Sequence, residues 1–203
     1  MSPAQKPRSA SPEPVALHEH AEENLRYIRA TMENATSFTG VSGRGYFLAG
    51  VSAIVAAWLA ARQSTQAAWL LVWMLELLLA GGVALGMTAF KASRQGKPLW
   101  SSSGRKLLLA FIPAMTAGGV LTLALFLRND TTLLPGIWLC LYGAAVMTAG
   151  VWSVRILPLM GALFLSAGSL VLLTPVPPDL MLGLSFGGLH IVFGILVWRH
   201  HGG

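Results

Sequence analysis

Residues 67–90 read AAWLLVWMLELLLAGGVALGMTAF and carry a single charge, Glu76. An α-helix rises 1.5 Å per residue, so about 20 apolar residues cross the hydrocarbon core of a bilayer. Lipid offers the backbone no hydrogen-bond partner, so such a run has to be helical. It shows none of the alternation of a barrel strand.

Five further apolar stretches flank it, at 46–62, 105–127, 133–153, 156–174 and 180–198. The first is the shortest, and Arg62 at its end can snorkel toward the interface. The expected fold class is all-α: a polytopic membrane helix bundle of six transmembrane helices over 46–198, with an N-terminal cytoplasmic amphipathic helix. Composition agrees. The 203 residues are 54% hydrophobic and 11% charged, against about 25% charged in soluble domains.

The net charge of +6 is explained by topology rather than by a nucleic-acid partner, and none is expected. Lys6, Arg8, Arg26, Arg29 and Arg44 precede the first span. Lys91, Arg94, Lys97, Arg105 and Lys106 lie between the second and third, Arg155 between the fourth and fifth, and Arg199 after the last. Only Arg62 and Arg128 fall on the other side. The positive-inside rule places both termini in the cytoplasm. Trp69 and Trp138 near one boundary and Trp152 and Trp198 near the other read as aromatic belts. The first apolar stretch begins too late for a signal peptide.

Residues 1–14, rich in Pro, Ser and Ala, read as a disordered leader. Residues 15–37 read as the amphipathic helix, with Leu17, Ala21, Leu25, Ile28, Met32 and Ala35 on one face. Such a helix is marginal alone in water, so its stripe needs a surface: the chain's own cytoplasmic loops, a second copy, or a cytoplasmic protein. Leu25, Ile28 and Met32 are the expected docking residues. Residues 38–45 (FTGVSGRG) read as a flexible glycine-rich link, without the Lys-Ser/Thr pair of a phosphate loop. Residues 199–203 form a cytoplasmic tail. Pro113 and Pro158, in similar contexts, hint at a triplicated two-helix hairpin, and Gly82-x-x-x-Gly86 suggests close helix packing.

Candidate chemistry is sparse. A charged carboxylate at the middle of a span costs several kcal/mol, so Glu76 should face the bundle interior and be paired or protonated. His190, in the last span after Gly187 and Gly188, can meet Glu76 as a proton-holding pair or hydrogen-bond a carbonyl or Tyr142. Arg155 is a topology anchor or an anion contact. His18, His20, Glu22 and Glu23 look metal-like in composition, but only His18 and Glu22 share a face, and two ligands make no site. No metal and no cofactor are expected. Cys140 is the only cysteine, which excludes an intramolecular disulfide and a thiolate cluster. It reads as a small packing residue. No nucleophile elbow, zincin motif or nucleotide loop occurs, so an enzyme is the least favoured class.

ENLRYIR at 23–29, the following Phe38-Thr39, and GLHIVFG at 188–194 resemble a group of bacterial multi-span membrane proteins. The resemblance implies a bacterial inner-membrane setting and carries over no activity and no site residues. Two functions are expected from the residues. One is a regulatory or accessory component that docks a partner through 15–37. The other is a proton-coupled transporter of small solutes using Glu76 and His190.

Overall fold

The computed structural model describes residues 17–35, 37–96 and 99–202. The leader 1–14, the loop positions Lys97 and Pro98, and the side chains of His18 and Glu19 lie outside them. The chain divides into two compact units, Met1–Ala35 and Thr36–Gly203.

The first unit contains one helix, α1 (Leu17–Ala35). Leu25, Ile28 and Met32 are exposed on it, at 66%, 51% and 65% of their surface. Among the described residues of its own unit, nothing buries these three side chains.

The second unit is helical throughout its regular elements: α2 (Gly43–Ala60), α3 (Gln66–Arg94), α4 (Ser102–Leu127), α5 (Leu134–Gly150), α6 (Leu157–Leu173) and α7 (Pro178–His201). Four of these, α2, α3, α4 and α7, are long and apolar enough to cross a membrane. The starts follow local chemistry. Ser42, Thr65 and Ser101 cap α2, α3 and α4 by accepting from Gly45 N, Ala68 N and Gly104 N, while α5 and α6 begin at Pro135 and Pro158. Within α7, Gly183–Leu189 widens into a π-helical turn that ends at His190.

The helices sort into two halves. In one, α2 is central, with α3 and α7 against it; in the other, α5 is central, with α4 and α6. The expected hairpin α6–α7 is not a packing unit, because α7 crosses back to α2. That contradicts a triplicated hairpin. Glycine explains both central pairs. A Cβ on Gly43 would lie 2.3 Å from Trp198 N, and one on Gly194 would lie 2.6 Å from Phe47 N. A Cβ on Gly161 would lie 2.6 Å from both Gly143 O and Met147 N. Backbones therefore touch directly, as helices in lipid do when small residues line the contact. Gly82 and Gly86, by contrast, have open space where a Cβ would sit, so among the described residues no helix of this chain packs on the motif singled out from sequence.

The glycine-rich link is held rather than flexible. Phe38, Val41 and Ser42 are buried. Phe38 N donates to Trp152 O at 2.7 Å, and Ser153 Oγ donates to Phe38 O at 2.7 Å. Ser42 N donates to Thr88 Oγ1 at 3.1 Å. Lys91, expected on a loop, is buried because α3 runs on to Arg94. Its Nζ donates to Val41 O and Gly202 O, each at 2.8 Å.

A bulky residue at a backbone contact should break a central pair. Gly161→Ile is expected to destabilise by about 1–3 kcal/mol and to lower the melting temperature of the detergent-solubilised protein. Gly82→Ala should leave it unchanged. Equal melting of the two variants would contradict the packing.

Candidate functional site

Between the two halves lies a cavity of about 330 Å³, lined by residues of α2, α3, α4, α5 and α7. Both α3 and α4 line it, yet the two helices make no substantial contact with each other. The wall is almost entirely apolar and aromatic. The α3 residues facing it include Trp69, Trp73, Glu76 and Ala80, which follow one another along the helix at spacings of four and three.

Glu76 is 8% exposed and lines the cavity. Its partner is Ser52 on α2, 2.8 Å from Oε1. Ser52 Oγ also lies 3.0 Å from Ala49 O. A hydroxyl has one proton to give and lone pairs to accept with. When Glu76 is ionised, Ser52 donates to it. When Glu76 is protonated, it donates to Ser52, whose proton turns to Ala49 O. The same heavy-atom arrangement therefore serves both protonation states.

His190 is 6% exposed. Its Nε2 lies 2.6 Å from the Tyr142 hydroxyl on α5. Its Nδ1 is buried without a hydrogen-bond partner among the described residues. Tyr142 also packs edge-on to Phe111 and Phe164 and beside Phe186, with ring centroids 5.9, 4.8 and 5.1 Å away. Phe186 in turn reaches Trp73 at 6.1 Å. This aromatic cluster joins the halves, each pair adding about 0.5–1.5 kcal/mol beyond its buried area.

The residues expected from sequence divide accordingly. Glu76, Tyr142 and His190 all line one cavity. The expected Glu76–His190 pair is not formed: among the described residues each has its own partner, Ser52 and Tyr142. Arg155 is exposed on the α5–α6 connection and is not a cavity residue. Trp69 and Trp138, read as belt residues, face the cavity. Their indole N–H groups donate to Asp179 Oδ1 at 2.7 Å and Thr122 Oγ1 at 2.9 Å. Ser52, Trp73, Phe111 and Phe186 were not foreseen. The spacing of Trp69 and Trp73 from Glu76 is the signal that points to the α3 members.

The fold and cavity define a class, an all-helical protein with four helices able to cross a membrane and an aromatic cavity holding one carboxyl group. No protein-family model, no curated protein and no solved structure matches the chain.

Removing the Tyr142 hydroxyl leaves His190 Nε2 buried without its partner. Tyr142→Phe should cost about 1–3 kcal/mol, read as a lower melting temperature in detergent. Unchanged melting would mean that the 2.6 Å contact adds nothing to stability.

Proposed function

We propose that this chain is a six-span protein of a bacterial inner membrane, with both termini cytoplasmic, that moves small solutes in exchange for protons. The asymmetry of Lys and Arg supports the orientation. The two 17-residue helices α5 and α6 are about 25 Å long, short of a ~30 Å core but within what local thinning of the bilayer accommodates. The observation that carries the functional reading is the placement of Glu76: a buried carboxyl group on a cavity wall, beside a hydroxyl that fits either of its protonation states. Ionisable groups inside membrane domains mark ion and proton pathways. His190, on the same half as Glu76, bonds Tyr142 on the other half. They act as a positioning pair between the halves rather than as a relay to Glu76.

Dicyclohexylcarbodiimide, which modifies protonated carboxyl groups in apolar surroundings, tests this without a known solute. The purified full chain at pH 6 should take one adduct, on Glu76 by peptide mass spectrometry. Labelling should fall as pH rises, because only the protonated form reacts. Glu76→Gln should remove the adduct. An unlabelled Glu76 in the folded protein would rule out an exchangeable carboxyl.

A second reading rests on α1. Leu25, Ile28 and Met32 form an exposed apolar stripe, and this supports docking to a cytoplasmic protein or to a second copy, with a regulatory or accessory role. Replacing Leu25 and Ile28 by Ser should then dissociate the complex seen on a native gel. A complex of unchanged size would count against docking through α1.

A further inference from the structure

We infer that the solute is a lipophilic organic cation, and that its entry displaces the proton of Glu76. This rests on the reading of Glu76 as an exchangeable carboxyl group and names the substrate class of that same cavity. Three features of the wall select this class. First, the wall is aromatic: Trp69, Trp73, Trp138, Tyr142 and Phe186 all line it, and aromatic faces attract cations, Trp most strongly. Second, among the lining residues there is no Lys or Arg, and Glu76 is the only acid. An anion finds no counter-charge, and a polar neutral solute finds few hydrogen-bonding groups. Third, about 330 Å³ suits a compact drug-sized molecule.

Charge balance completes the argument. In a low-dielectric cavity an unpaired carboxylate is expensive. A neutral solute leaves Glu76 protonated and has no reason to exchange with a proton. A cation permits the O–H bond of Glu76 to ionise, the proton leaving to water, so that the cavity stays neutral throughout. The titratable groups around Glu76 do not oppose this. On α2 they are Tyr46, with Ser52 as the direct partner; on α5, Tyr142; on α7, His190, held at Nε2 by Tyr142; and α4 contributes none to the wall. Lys91, farther along α3, is committed to Val41 O and Gly202 O.

The test is titration calorimetry of tetraphenylphosphonium into the full chain in detergent, in two buffers of different ionisation enthalpy at pH 6. We expect saturable binding with release of about one proton per cation, since one carboxyl group titrates. Glu76→Gln should weaken binding at least tenfold and abolish the release. Glu76→Asp should retain the release, and Trp73→Ala should weaken binding several-fold. Tetraphenylphosphonium should also protect wild-type Glu76 from the carbodiimide, a readout that holds even where a variant does not fold. Equal binding of the cation and of neutral triphenylphosphine oxide, no proton release, or no protection would overturn the assignment. If Glu76 still labels in the absence of cation, only the substrate class falls. If it never labels, the parent reading falls with it.

Discussion

Backbone contact across glycine is the constraint on which the rest of the structure depends. In water, apolar side chains drive helices together; in lipid that drive is absent, and association relies on close van der Waals contact. The chain supplies such contact twice, between α2 and α7 at Gly43 and Gly194 and between α5 and α6 at Gly143 and Gly161. Each contact fixes a pair, and the longer helices α3 and α4 each pack against the central helix of one pair. Because α3 and α4 are held by different halves and not by each other, space remains between them. The cavity is a product of this arrangement.

The polar groups follow from the same geometry. A buried hydroxyl, carboxyl or imidazole must find a partner or carry a penalty of about 1–3 kcal/mol. Glu76 finds Ser52 within its own half, whereas His190 finds Tyr142 across the two. The first bond places a titratable group on the cavity wall. The second fixes how far apart the walls stand. Lys91 is a buried cation with two carbonyl partners and sits at the C-terminal ends of α3 and α7. The negative ends of two helix dipoles favour a cation there, which accounts for its burial without a carboxylate.

Much of this was legible in the sequence and some was not, for a physical reason. Helix positions follow from length and apolarity: 67–90 is found within Gln66–Arg94, and 105–127 within Ser102–Leu127. Charged or polar residues in apolar runs stand out, so Glu76 and His190 were visible, as was Tyr142 as a partner for His190. Helix contacts were not visible, because a helix surrounded by lipid is apolar on every face and its periodicity points nowhere. The pairing of α2 with α7 is signalled only by glycines seven apart, Gly43 and Gly50 against Gly187 and Gly194, among 22 glycines in the chain. The flexible reading of 38–45 failed for a related reason. Glycine there serves close approach, with Ala92 Cβ 2.7 Å from where a Cβ of Gly40 would lie, and composition alone does not separate close packing from freedom.

The way α3 is held differs from the way the two halves are joined. At one end α3 is bound to the start of α2 and the end of α7 through Lys91. At the other, Trp69 binds Asp179 at the start of α7. Midway, Glu76 binds Ser52. Three such ties fasten α3 to α2 and α7. The halves are joined differently: by the glycine-rich link, where Phe38 bonds Trp152 and Ser153, and by the cluster of Tyr142, Phe164, Phe186 and His190. Side-chain bonds at three places thus fasten α3 to its own half, whereas the two halves meet through the link ahead of α2 and the aromatic cluster, and the carboxyl group of Glu76 sits on the firmly held wall.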